Sequence, residues 1–237
     1  MKQKTERPFI ISELHPQHGG DIKTIETMIL QSKMGGADAV KVQVYTSMTF
    51  LGDNRKQYAE ITFEELKRLK KYADNIGIDL FASVFDSEKL DWCLHLEFKY
   101  LKIASKMFKD DSLCREAIAT QKPVFISNGL NPDEFPYFDD NVYYFHCIPK
   151  YPMMLEDNNI PNFRNSLYSG FSDHSPGLTA AITAVVRGAI YVEKHFTLSS
   201  ALQSSSEKAH TGSMNFDELR SLRKFCDEFS ILGGCVN

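Results

Sequence analysis

Eight short apolar runs recur along this chain, each of strand length and most of them followed by a stretch of helical periodicity. They cover residues 9–13, 39–44, 79–83, 100–104, 123–127, 142–147, 168–172 and 189–194. The spacing of apolar positions predicts helices over 22–34, 63–75, 87–95, 111–120, 178–187 and 216–229. Strands alternating with helices call for parallel pairing, because each helix carries the chain back to start the next strand in the same direction. Eight such units in 237 residues match the size of one closed barrel. The expectation is an α/β chain, a single-domain (β/α)8 TIM barrel spanning residues 1–237. An open doubly wound sheet is the runner-up, but no glycine-rich dinucleotide fingerprint follows a strand.

Local signals agree with this pattern. Thr62 followed by Glu65 has capping-box spacing, and Asn75-Ile-Gly77 supplies a left-handed exit for the same helix. Between them Leu66, Leu69, Tyr72, Ala73 and Ile76 form one apolar face. Asp21 is the expected cap of the first helix. Pro132, Pro136, Pro152 and Pro161 make the connections after the fifth and sixth strands short or irregular.

Composition excludes several classes. A net charge of -4 argues against nucleic acid as a partner, since phosphate backbones require a concentrated basic face. No apolar run reaches membrane-spanning length, and the charged N-terminus lacks a signal-peptide core, so no membrane association is expected. The five cysteines form no CxxC pair and read as free thiols of a reducing cytoplasm, although Cys147, after His146 at a strand end, keeps a nucleophilic reading open.

In barrels of this kind the chemistry is carried at the C-terminal ends of the strands. Those positions are Glu13, Lys41 with Gln43, Ser83, Lys102 with Ser105, Ser127, Tyr151, His174, and Glu193 with His195. A lysine inside an apolar strand is costly unless its charge has a partner. Lys41 and Lys102 therefore face an anionic ligand or are paired with buried carboxylates, and the hydroxyls of Ser83, Ser105 and Ser127 suit a phosphate ester with a carboxylate. His174 and His195 lie 21 positions apart at the ends of neighbouring strands, where two neutral imidazoles can hold a divalent metal and leave positions for substrate. His18 is either a lid residue touching ligand or a hydrogen-bonded structural histidine, His146 reads as a satisfied core histidine, and His15 and His210 carry little signal.

At this point the motifs are recognisable together. They are Glu13 with His18-Gly-Gly-Asp21, Gly36-Ala-Asp-Ala-Val-Lys41-Val-Gln43, Lys102-Ile-Ala-Ser105, Lys122-Pro-Val-Phe-Ile-Ser127-Asn-Gly129, His146-Cys, Tyr151-Pro with Glu156-Asp157, Ser172-Asp-His174 and Glu193-Lys-His195-Phe-Thr-Leu198. The chain resembles the sialic acid synthase (N-acetylneuraminate synthase) family from about Phe9 to Phe229. That resemblance implies condensation of phosphoenolpyruvate with a sugar-derived or other aldehyde to give a 2-keto acid. It assigns a divalent metal, manganese first with magnesium or cobalt as alternatives, to His174 and His195. It assigns phosphoenolpyruvate to Lys41, Ser83, Lys102, Ser105 and Ser127, the reacting centre to Glu13 and Glu193 with the two histidines, and the acceptor to Gln43, Tyr151 and Ser206.

The departures fall on the acceptor side. Met107 stands where the family has a glutamate, Pro149 where it has an asparagine, and Ser206 where an aspartate binds acceptor hydroxyls. The chain ends after its last helix, with no counterpart of the family's C-terminal antifreeze-protein-like domain, so a homodimer would have to form through the barrel. The resemblance therefore implies a synthase with an altered acceptor site. Two other readings stay open: a non-catalytic or regulatory barrel, and a metal-dependent aldolase or lyase acting on another phosphorylated ligand.

Overall fold

The computed structural model describes residues 7–157, 159–202 and 211–233. Eight parallel strands close in sequence order: β1 (Phe9–Glu13), β2 (Ala39–Val44), β3 (Asp79–Val84), β4 (Leu101–Ile103), β5 (Val124–Ser127), β6 (Val142–Cys147), β7 (Tyr168–Asp173) and β8 (Tyr191–His195). The ring shuts where β1 pairs with β8, Glu13 lying opposite His195. Seven α-helices are present among the described residues: α1 (Ile22–Gly35), α2 (Ser47–Leu51), α3 (Phe63–Ile76), α4 (Ser87–His95), α5 (Asp111–Ala119), α6 (Thr179–Val186) and α7 (Phe216–Ile231). The described residues form one (β/α)8 barrel, as the strand–helix alternation predicts.

The caps form where the sequence places them. The Asp21 side chain accepts from the Thr24 backbone N–H, and Thr62 and Glu65 make a reciprocal capping box on α3. Gly77 then ends α3 at φ +74, a conformation that would strain a residue with a Cβ. Among the described residues no α-helix follows β5 or β6, consistent with the prolines there. The sequence reading missed α2, which is only five residues long and has no side-chain cap.

Alternation along the strands divides the barrel interior into two levels. The lower level is aromatic. Phe81, Phe125, Tyr143 and Tyr191 meet Phe9 and Tyr100 with ring centroids 4.9–6.0 Å apart. Further along β1, β2, β4 and β8 the inward positions turn polar, carrying Glu13, Lys41, Lys102 and Glu193. Phe145 separates the levels, and the Lys102 ammonium sits 3.9 Å from its ring centroid. Gly170 makes room for that ring, since a Cβ there would come within 2.7 Å of it.

Candidate active site

The polar level opens into a cavity of about 480 Å³ at the C-terminal ends of the strands. Glu13, Lys41, Gln43, Ser83, Lys102, Ser105, Ser127, Tyr151, His174, Glu193 and His195 all line it. Ser206, the remaining residue expected there, lies outside the described residues.

The open question about the lysines resolves toward pairing, and their partners lie inside the site. Lys41 Nζ is 2.5 Å from Glu13 Oε2 and 3.2 Å from Glu193 Oε1, and it donates to Ser83 Oγ at 3.0 Å. Lys102 Nζ is 3.3 Å from Glu193 Oε2. Burial disfavours the charged form of all four groups, and the neighbours decide the outcome for each. Burial raises the Glu13 carboxyl above its ordinary range, with Lys41 only partly opposing it. Burial also acts against the ionised form of Glu193, but Lys102 and Lys41 outweigh it and hold the group down at about 2. The Lys41 ammonium is raised despite burial, because two carboxylates face it. Lys102, with one carboxylate and a lysine nearby, is lowered by burial to about 8.

Ser172 is a centre of this cluster that sequence reasoning did not assign a role. Its hydroxyl donates to Glu193 Oε1 at 3.2 Å and lies 3.4 Å from both Lys102 Nζ and Ser127 Oγ. Its signal was its position, two residues before His174 and therefore on the inward side of β7. Ser105 faces Cys147 instead, with Oγ and Sγ 3.0 Å apart, and accepts from the Gly129 N–H. Burial raises the Cys147 thiol, the opposite of what a nucleophilic thiolate requires.

His174 and His195 face each other with ring centroids 5.7 Å apart. Burial lowers His174 to about 4 and His195 well below its ordinary value, so both rings are neutral near pH 7. His174 Nδ1 lies 2.8 Å from the Ile148 carbonyl, which can only accept. The proton is therefore on Nδ1, and the Nε2 lone pair faces the Tyr151 hydroxyl at 3.1 Å. Neutral imidazoles with an available lone pair fit a borderline divalent cation. Among the described residues no group of three or more His, Cys, Asp or Glu is arranged to hold a metal, so any such ion would take its other ligands from substrate or water.

Behind the histidines, Asp173 and Lys194 are cross-strand partners on β7 and β8. Lys194 Nζ bonds Asp173 Oδ2 at 2.9 Å, and both side chains are fully buried. Asp173 Oδ1 accepts from the Ser175 N–H and hydroxyl, tying down the turn after His174.

Loop histidines contribute more than their positions suggested. Gly20 N–H donates to His18 Nδ1 at 3.0 Å, which puts the His18 proton on Nε2. That nitrogen is 3.2 Å from His15 Nδ1, and His15 Nε2 in turn is 3.1 Å from the Tyr45 hydroxyl. His18 is thus a buried structural histidine, whereas His15 lines the cavity. His146 is partly buried between Tyr168 and Phe171, and among the described residues its Nε2 has no hydrogen-bond partner, so it is not the satisfied core histidine expected.

A closed parallel barrel carries paired lysines and glutamates beside two neutral imidazoles at one open end. Comparison with known proteins narrows the class. Residues 28–236 match the model of the NeuB family, and the chain belongs to that family. It is 29% identical to the pseudaminic acid synthase of Campylobacter jejuni serotype O:23/36, over 92% of this chain and 72% of that protein. With the N,N'-diacetyllegionaminic acid synthase of Legionella pneumophila it shares 27% identity, over 95% of this chain and 73% of the relative. The solved N-acetylneuraminic acid (sialic acid) synthetase of Leptospira borgpetersenii, in complex with citrate, superposes with a TM-score of 0.87 at 26% identity, covering 100% of this chain and 92% of that one. The chain is homologous to sialic acid and pseudaminic acid synthases. Among the described residues no helix is long and apolar enough to cross a membrane.

Proposed function

We propose that this protein joins phosphoenolpyruvate to an aldehyde, forming a 2-keto acid and releasing phosphate. One observation carries the reading. Two lysines and two glutamates are mutually compensated at the floor of a cavity that also presents two neutral imidazoles. Compensation leaves the floor near electrical neutrality, so a multiply charged donor needs further positive charge on arrival. Protonation of Glu13, whose carboxyl is already raised, frees Lys41 for the donor. A divalent cation, manganese in first place with magnesium or cobalt as substitutes, would be held by His174 and His195 and would supply Lewis acidity at the aldehyde oxygen.

Lys41 and Lys102 hold the phosphate and carboxylate, with Ser83, Ser105, Ser127 and Ser172 as hydroxyl donors around them. This fixes C3 of the donor against the aldehyde carbon. As the C3–carbon bond forms, the aldehyde oxygen takes a proton, which the water adding at C2 later gives back to the site, and positive charge develops at C2. Ionised Glu193 stabilises that charge. Water adds at C2, and the C–O bond to phosphate breaks to leave the ketone. The balance is donor plus aldehyde plus water giving a 2-keto acid plus inorganic phosphate. A scaffold barrel has no use for four costly buried charges at one mouth. Buried free cysteines fit a reducing cytoplasm as the compartment.

Gln43 and Tyr151 line the cavity and would meet the acceptor. Part of the cavity wall is aromatic: Phe50 lies 4.3 Å from Phe85 and 5.5 Å from Tyr45, centroid to centroid. Such a wall favours an aldehyde with an apolar substituent, by roughly 0.8 kcal/mol for each methylene buried.

The direct test is phosphate release from phosphoenolpyruvate across a panel of amino-sugar and simpler aldehydes with manganese present. Release that requires both an aldehyde and the cation, with a 2-keto acid seen by mass spectrometry, is expected; release without any aldehyde would indicate a phosphatase or lyase instead. A pH dependence follows as well. Lys102 is charged below about 8 and neutral above it, so affinity for the donor is expected to fall as pH rises through that value. Calorimetric titrations between roughly pH 7 and 9 check this, and the fall should vanish in Lys102→Met.

A further inference from the structure

Gln17 is a buried glutamine in the loop between β1 and α1, and nothing in the proposed chemistry uses it. A buried primary amide has two donors and an acceptor to satisfy, and its surroundings admit only one orientation. On one side lie the backbone carbonyls of Leu14 and His15, 3.3 and 2.7 Å from the amide end facing them. Two carbonyls can only accept, so that end is the NH₂ group. The Gln17 carbonyl oxygen then faces the Ser213 hydroxyl at 2.9 Å and His195 Nδ1 at 3.2 Å. An amide oxygen cannot donate, so His195 Nδ1 must carry the ring proton.

We infer that Gln17 is a positioning residue that sets the tautomer of His195, holding Nδ1 protonated and leaving the Nε2 lone pair for a ligand in the cavity. The Ile148 carbonyl does the same for His174, at 2.8 Å. The two imidazoles thus present matching nitrogens, one fixed by backbone and the other by a side chain. Gln17 is also the point where three distant segments meet: its own loop, the end of β8 and the stretch around Ser213. Outer contacts that fix a ligating imidazole typically change metal affinity by about 10- to 100-fold when removed. The link to a metal rests on the function proposed above, whereas the tautomer assignment does not.

Nitrogen-15 NMR of the histidine rings in metal-free protein near neutral pH separates the two. In wild type both His174 and His195 are expected as Nδ1–H tautomers. In Gln17→Leu, which removes the acceptor, His195 is expected to shift toward the Nε2–H tautomer while His174 stays unchanged. Gln17→Glu, which keeps an acceptor oxygen, is expected to retain the wild-type tautomer. Manganese affinity, read by electron paramagnetic resonance, should fall about 10- to 100-fold in Gln17→Leu and much less in Gln17→Glu. An Nε2–H tautomer at His195 in wild type would overturn the inference even if no variant folded, and so would an unchanged His195 in folded Gln17→Leu. The expected tautomers in a protein that binds no manganese would uphold Gln17's role and refute the metal site instead.

Discussion

Alanine at His174 or at His195 is expected to lower turnover by about a thousandfold or more while the barrel remains folded. The magnitude follows from the work assigned to these two rings. They are two neutral, lone-pair-bearing groups in a cavity whose floor charges, on Lys41, Lys102, Glu13 and Glu193, are already compensated. Electrophilic assistance at the aldehyde oxygen is worth several kcal/mol, and about 4 kcal/mol corresponds to three orders of magnitude in rate. The cost in stability is smaller. His174→Ala leaves the Ile148 carbonyl without its imidazole donor, a loss of roughly 1–3 kcal/mol. Steady-state phosphate release, combined with manganese bound per chain, checks both parts. Full activity in either variant would remove the histidines from the chemistry.

Lys194→Met is expected to have the largest effect on folding. It strips the partner from Asp173, a carboxylate with no exposure to solvent. An uncompensated buried charge costs about 3–5 kcal/mol, which for a domain of this length lowers the melting temperature by roughly 6–20 °C. Asp173→Asn in the same background removes the stranded charge but keeps an oxygen for the Ser175 N–H and hydroxyl. The double variant should therefore be more stable than Lys194→Met alone, as melting curves would reveal. The reverse order would mean that the pair contributes little. Because Asp173 and Lys194 immediately precede His174 and His195, the pair also anchors the two strand ends that carry the site.

Much of this site was legible because strand parity is a two-residue rule. Once 189–194 is read as a strand, Glu193 and His195 must share a side, and the same holds for Lys41 with Gln43. Partner choice is not legible that way. Parity puts Lys102 inside the barrel, but only the ring closure brings Glu193 from β8 within 3.3 Å of it. The same rule sends Lys194 outward, where a lysine ordinarily reaches solvent, and the buried partner on β7 becomes visible only in three dimensions. Loop residues have no parity at all. His15 and Gln17 flank Pro16 in a turn, and their roles arise from contacts with Tyr45 and with His195, 30 and 178 positions away. The helix α2 escaped notice for a related reason: five residues without a side-chain cap give too short a pattern to detect, although Phe50 within it walls the cavity.

The floor of the barrel mouth is proposed above as a phosphoenolpyruvate site. Titration calorimetry of phosphoenolpyruvate into wild type and Lys41→Ala, with manganese and then with chelator, tests it most directly. Wild type is expected to bind with a dissociation constant between roughly 1 μM and 1 mM, more tightly with the cation, and Lys41→Ala to bind at least about tenfold more weakly. No binding by wild type under either condition, or equal binding by a folded Lys41→Ala, would contradict the account.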